Sequence, residues 1–293
     1  RYTVSYTDYD GKPHQTTVSA GRFVRDSSLR FTTSDSGRFT ETSLRKRRIL
    51  AARSFIIDTS KQFATLRIGT FTRSLKRSFL RRSFKQMHRQ QIPNLIIDVR
   101  NNGGGLIKSS LLLTRYIKQE QFQFTDSILA VTRAVRSSAT VKKKFFNNLG
   151  MLFLSRKESK QRYRFAFFQR TYEPKTGYYK GHVYVLTGGY SFSATTMFLA
   201  NVKGQHNVTL VGEETGGGYY GNNGVFIPEM ILPHTKLRVR LPLYRIVNNR
   251  HFPFNGSGVL PDIEIKATAE SIRWNQDPKT DKAIQLIMQR LQR

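Results

Sequence analysis

The chain has 293 residues, 38% of them hydrophobic and 21 of them phenylalanine, enough to bury a sizeable core in one large domain or two smaller ones. Its 49 lysines and arginines against 19 acidic residues leave a formal charge of +30, a field that favours nucleic acid, anionic membrane or acidic partners and is otherwise a solvated basic shell. The lack of cysteine excludes a disulfide framework, a thiolate nucleophile and a cysteine zinc site; no apolar run approaches the ~20 residues of a membrane-spanning helix, and no signal-like segment opens the sequence.

The opening RYTVSYTDYDGKPHQTTV reads as two alternating strands around the turn Tyr9-Asp10-Gly11-Lys12, and its start without Met reads as the tail of something longer, so a fragment is expected. Residues 21–60, rich in Arg, Ser and Thr and carrying the basic run LRKRRILAAR, read as a connector with short strands. ATLRIGTF predicts a strand. RSLKRSFLRRSFKQMHRQ places Leu75, Phe79, Phe84 and Met87 near one helical face with Arg77, Arg81, Arg82 and Lys85 outside it. LIIDV is a continuously apolar strand, RNNGGG its loop and LIKSSLLLTRYIK the next helix, so the order implies a parallel α/β core.

After a strand around SILAVTRAV comes a long insertion, residues 136–180, in which KKKFFNNLGMLFL and RYRFAFFQR interleave aromatics with Lys and Arg. That pattern suits stacked nucleic-acid bases, an acidic membrane surface, or a hydrophobic cap with basic edges, and long insertions in compact domains are often lids. HVYVLTG returns a buried strand, SATTMFLANVKG a helix and NVTLVG another strand. Strands within GVFIPEMILP and TKLRVRLPLYRIV follow, then a terminal helix around DPKTDKAIQLIMQRLQR. No internal repeat is present.

Three loops follow buried strands and so meet at one edge of a parallel sheet. GGGYYG, Gly216 to Gly221, fits G-x-G-x-x-G, but no helix follows to receive a pyrophosphate. RNNGGG does precede a helix and lacks the Gly-Lys-Ser/Thr ending of a P-loop. It is either a tight turn or a backbone anion site, whose N–H groups point at developing negative charge. In GGYSFSATTMFLA, Ser191 and Ser193 stand where helix-capping serines stand, and where a nucleophile would stand beside such donors.

LIIDVRNNGGGL, VYVLTGGYSFSATTMFLANVKG and VTLVGEETGGGYYG, in that order, followed by GSGVLPDIEI, resemble the carboxy-terminal processing (tail-specific) protease family of serine peptidases, over roughly residues 60 to 270. The resemblance implies a crotonase-like α/β core with a mostly parallel sheet over residues 61–270, interrupted by the aromatic-basic insertion 136–180. It implies the remnant of a PDZ-like domain at 1–20, a connector at 21–60 and a C-terminal helix at 271–293. It also implies cleavage of polypeptide substrates through an acyl-enzyme, with no cofactor and no metal. A gap-free match through VGE places the family's nucleophile at Ser193. The oxyanion hole would use the N–H groups of Ala194 and Gly104, and Gly103, Gly105, Gly216, Gly217 and Gly218 would line the peptide site.

The Ser-Lys branch of that family carries its lysine base where this chain has Gly218, and no lysine replaces it nearby. Tricorn-like members use a histidine N-terminal to the core and an acidic residue before the closing motif, a position held here by Asn255. Of the six histidines, His251 is nearest to that motif and is the internal candidate, while His88 and His182 read as structural. The base is therefore expected upstream of Arg1. Export to the periplasm or cell envelope of a bacterium also follows from the resemblance. The rivals are a non-catalytic ligand- or peptide-binding relative on the same fold, and a basic nucleic-acid-binding module, for which weak non-specific binding is expected. Substrate identity and oligomeric state have no signature in the sequence.

Overall fold

The computed structural model describes residues 2–7, 12–18, 52–73, 75–135, 140–142, 144–160, 162–165 and 167–292. Most of the connector, and the tip of the first turn, lie outside the described residues. The chain begins with the antiparallel hairpin β1 (Tyr2–Thr7) and β2 (Pro13–Val18), as its alternation predicts.

The core alternates strand and helix: β3 (Arg53–Ile57), β4 (Phe63–Ile68), α1 (Arg77–Arg89), β5 (Asn94–Asp98) and α2 (Ile107–Ile117). Next come the short β6 (Phe122–Gln123), β7 (Ser127–Ala130), β8 (Thr140–Val141) and α3 (Lys144–Leu154). They lead to β9 (Ser155–Ser159), β10 (Arg162–Phe165) and β11 (Thr171–Tyr172), then back to the core with β12 (His182–Thr187), α4 (Ala194–Val202) and β13 (Val208–Gly212). The remainder comprises β14 (Gly221–Gly224), β15 (Glu229–Ile231), β16 (Arg238–Arg240), β17 (Tyr244–Val247), β18 (Ile263–Glu264), α5 (Ala269–Arg273) and α6 (Pro278–Leu291).

The main sheet runs β18-β13-β12-β5-β4-β3, and all its pairings are parallel except the edge pair β3–β4. Its central strands are buried on both faces because helices cover both. On one side lie α1, α2 and α4, with Leu80, Phe84, Met87, Leu113, Phe198 and Leu199 in the core. On the other, Ala283 and Ile287 of α6 pack on Ile96, Tyr184, Leu186 and Val211. Of the helical face read from the sequence, Phe84 and Met87 are buried in α1 and Phe79 is half-buried, Leu75 is buried just before the helix, and Leu80 joins the buried side, whereas Arg77, Arg81, Arg82 and Lys85 are exposed. α4 is buried almost all round and is the central helix.

A second, five-stranded sheet, β14-β17-β7-β10-β9, encloses a cluster of Phe124, Ile128, Phe165, Phe168, Tyr244 and Ile246 that reaches Leu111 of α2 and Met197 of α4. A three-stranded sheet β16-β15-β8 and the pair β11-β6 complete the set. The late strands are shorter than their sequence patterns suggest, since Pro228 and Pro242 lack the N–H that a ladder needs. The terminal helical region is two helices. Asn275 takes φ 49° after α5, and Asp277 then caps α6, with Pro278 in its first turn.

Candidate active site

Parallel register puts the C-terminal ends of β5, β12 and β13 side by side: Leu186 is opposite Asp98, and Thr187 opposite Gly212. Three loops therefore leave from one edge, Arg100–Gly105, Gly188–Ser193 and Glu213–Tyr220. They are bonded to one another. Asn102, fully buried, donates from Nδ2 to the Ile68 carbonyl (3.0 Å) and accepts the Gly104 N–H on Oδ1 (2.9 Å). Its own carbonyl accepts from the Phe192 N–H (3.2 Å) and from Thr195 Oγ1 (2.8 Å). The Gly217 N–H donates to the Ser191 carbonyl (3.1 Å), and Ser110 Oγ donates to the Ala194 carbonyl (2.6 Å).

Ser191 and Ser193 play different parts. Ser191 is fully buried, and its hydroxyl donates to the Val99 carbonyl (2.9 Å), a packing role. Ser193 is half-buried at the N-cap of α4, yet its side chain makes no capping bond, and its φ of 54° with ψ of −118° is a conformation that L side chains rarely adopt. Such a backbone costs about 1–3 kcal/mol, and here the bonds to Asn102, Val99 and Gly217 hold it. The turn presents the Ser193 hydroxyl without a hydrogen-bond partner among the described residues.

Facing it is Gly104, with φ 98°. A Cβ there would lie 2.8 Å from both Ser193 Cβ and the Phe192 carbonyl oxygen and 3.1 Å from the Ala194 nitrogen, so only glycine lets the loop approach this closely. The Ala194 N–H, first of the helix, has no acceptor among the described residues and is open to an oxyanion. The Gly104 N–H is already given to Asn102, and to serve an oxyanion it must exchange that neutral amide oxygen for a charged one, the stronger acceptor. The Gly105 N–H also lacks an acceptor among the described residues. A Cβ on Gly103 would meet nothing. Gly217 lies against Phe192 and Ser193, Gly216 against the Gly189 carbonyl and the Phe192 ring, and Gly218 pairs with Gly258 of the closing motif.

The first turn of α6 grips all three loops. Arg100 makes a fork to Asp277 (2.5 and 2.8 Å) and to Asp98 (2.9 and 3.0 Å). Lys279, nearly buried, bonds to Glu213 and donates to the Thr187 carbonyl (3.3 Å). Burial works against the Arg100 charge, but Asp98 and Asp277 overcome it and hold its pKa above the usual arginine value. Burial would likewise raise Asp277, yet hydrogen bonds from Arg100 and Thr280 bring it down to about 2.

The other acid-base candidates are occupied elsewhere. Glu214 accepts from the Gly258 N–H (2.6 Å), and Asn255 accepts from the N–H and hydroxyl of Ser257 within its own turn. His251 is exposed in the turn beyond β17, next to the Asp126–Arg250 ion pair. His182 begins β12, at the opposite end of the strand from the serine turn, and burial lowers its pKa, helped by Arg290 and His206. No His, Lys, Asp or Glu side chain among the described residues bonds to the Ser193 hydroxyl. Asn102, Ser110 and Thr195, which organise the turn, are not distinguished by the sequence reading; the one hint is that RNNGGG holds an Asn directly before its glycines, where Asx turns form.

A model of peptidase family S41 matches residues 62–265. A comparison with curated proteins finds no match. Among solved structures, similarity extends to a provisionally assigned peptidase from Parabacteroides merdae ATCC 43184, with TM-score 0.54 and 20% identity over 85% of this chain and 70% of that one. It also extends to mature CPAF complexed with lactacystin, with TM-score 0.53 and 15% identity over 82% of this chain and 54% of that one. The photosystem II D1 C-terminal processing protease has TM-score 0.44 and 19% identity over 69% of this chain and 42% of its own. This chain thus spans about half the length of the last two.

Proposed function

Because the chain belongs to peptidase family S41, we propose that it is a serine endopeptidase that cleaves polypeptides through an acyl-enzyme on Ser193. In this reading the Ser193 oxygen attacks the scissile carbonyl carbon as its proton passes to a base. The carbonyl oxygen becomes anionic against the N–H groups of Ala194 and Gly104. The amine then leaves with a proton, and water hydrolyses the ester. The observation that carries the reading is the uncapped serine at positive φ beside an unspent helix N–H, with Gly104 in close approach. Labelling by a fluorophosphonate probe tests it: label on the wild type and none on Ser193→Ala is the expected result, and equal labelling of the two overturns the assignment.

The base is proposed to come from a segment N-terminal to the core. Gly218 stands where Ser-Lys members carry lysine, and the Ser193 hydroxyl is unpartnered among the described residues. A longer form of the chain is then expected to hydrolyse peptides roughly 10²–10⁴-fold faster than residues 1–293. Full activity in residues 1–293 would mean an internal base, and His251→Ala is the next substitution. The same unpartnered hydroxyl favours the second reading, a non-catalytic binding relative, which failure of both forms to label would assign.

The finer architecture belongs to the same proposal: a crotonase-like core at 61–270, a PDZ-like remnant at 1–20, for which the β1–β2 hairpin speaks, a connector at 21–60, an insertion at 136–180 and a C-terminal helix at 271–293. Gly103, Gly105, Gly216, Gly217 and Gly218 line the peptide groove, and Asn255 stands in the accessory position. Export to a bacterial periplasm or envelope rests on the family resemblance. Among the described residues no helix is long and apolar enough to cross a membrane. Nucleic-acid binding is expected to be weak, sequence-blind and steeply salt-dependent.

A further inference from the structure

An 11-residue helix beside a sheet normally turns its apolar side inward, and α3 does the reverse. Phe145, Phe146 and Phe153 are 70%, 70% and 76% exposed, and Leu149 and Leu152 are exposed with them. At 100° per residue these five fall within an arc of about 120°. The opposite side is the packed one: Met151 is fully buried, and Gly150 lies against the Phe226 ring.

The strand that leads into α3 belongs to the three-stranded sheet. β8 runs into α3 through Lys142 and pairs with β15, which pairs with β16. Val239 is opposite Met230, which is opposite Val141, and Met230 and Val141 pack on the inner cluster, so Arg238 and Arg240, with Glu229, take the outer face of that sheet, and Lys236 is exposed in the turn before them. Glu229, bonded to Lys142 and near Arg238, is the acidic residue within this patch. The result is an exposed apolar stripe on α3 next to a sheet whose outer face carries cations, unlike singly scattered surface hydrophobics.

We infer that this face docks on a lipid bilayer containing anionic phospholipid, with the α3 stripe in the acyl boundary and Lys236, Arg238 and Arg240 at the headgroups. A second copy of the chain does not fit, because a twofold contact would set these cations against their own copies on a chain of net charge +30. An apolar stripe bordered by cations suits a partner with an apolar phase beneath a negatively charged surface, and an anionic bilayer has both. The inference does not depend on catalysis, and its test reads no peptide hydrolysis.

The 293-residue chain is sedimented with vesicles of phosphatidylcholine alone or mixed with phosphatidylglycerol. Binding is expected to the mixed vesicles and to fall as salt rises. The triple variant Lys236→Gln/Arg238→Gln/Arg240→Gln should bind about 100-fold more weakly, at roughly a factor of five per cation. Phe146→Asp/Phe153→Asp should lose at least about 10-fold, with circular dichroism unchanged because both sites are exposed. In a Trp274→Phe background, Phe153→Trp should shift its emission to the blue on the mixed vesicles. Absence of binding to the mixed vesicles at low salt overturns the inference. So does unaltered binding by the Phe variants, which would reduce the effect to charge alone, or self-association through this face that vesicles do not compete.

Discussion

Replacing Asp277 with Asn removes one charge from the grip of α6 on the site loops and leaves the helix cap in place. Asn accepts the Thr280 N–H about as well as Asp does, so the change falls on the second carboxylate oxygen, which takes Arg100 and the Thr280 hydroxyl. The Asp277 carboxyl, ordinarily near 3.8, is held at about 2. For a fully shielded group that difference would correspond to about 2.4 kcal/mol. The Asp277 side chain is 43% exposed, and Arg100 keeps Asp98, so solvent screening reduces the expected loss to about 1 kcal/mol. For a chain of this size that is a fall of about 2 °C in Tm. The sign follows from the depressed pKa: the stabilisation is full above the unfolded value near 4 and disappears as pH falls through 2. Thermal unfolding followed by circular dichroism should therefore show a difference between wild type and Asp277→Asn that is constant from pH 7 to 5 and shrinks between pH 4 and 2.5. A gap of the same size at pH 2.5 would refute the electrostatic account and leave only packing.

Ser193→Ala is expected to abolish peptide hydrolysis in the active form of the protein, whereas Ser191→Ala, which loses one buried bond to the Val99 carbonyl, should cost about 1 kcal/mol of stability and only part of the turnover; unchanged turnover in Ser193→Ala would remove the nucleophile from consideration. Gly104→Val should lower turnover by at least about 10²-fold with the core still folded, since its Cβ would sit 2.8 Å from the Ser193 Cβ; kinetics alongside a melting curve separates the two effects. Asn102→Ala gives up the bonds to Ile68 and Gly104 and should destabilise the chain by about 2–4 kcal/mol in urea titration; a loss under 0.5 kcal/mol would contradict its role as the hub.

The main sheet and its loops were legible because β5, β12 and β13 are largely apolar runs followed by glycine-rich loops, a pattern that a buried parallel sheet demands. The convergence of the three loops follows from that alone. Their mutual bonding does not, because a buried Asn102 and a solvated loop Asn look the same in sequence. The insertion misled in part. Phe165 and Phe168 are buried, as a hydrophobic cap would have them, but Phe145, Phe146, Phe153 and Phe167 are exposed. Aromatic composition cannot say which side of a helix finds a partner. The terminal helix around DPKTDKAIQLIMQRLQR starts where Asp277 and Pro278 begin α6, whereas the five-residue α5 before it is too short to show a helical period in the sequence.

Asn102 places the bent conformation of Ser193 outside the serine's own turn. Its carbonyl holds both Phe192 and Thr195, so the nucleophile's shape is borrowed from a loop some ninety residues earlier in the chain. Neither loop can open without releasing the other. Their amide protons should accordingly exchange with solvent together, as one cooperative unit, and insertions or deletions in RNNGGG should be felt at the serine as strongly as changes next to it.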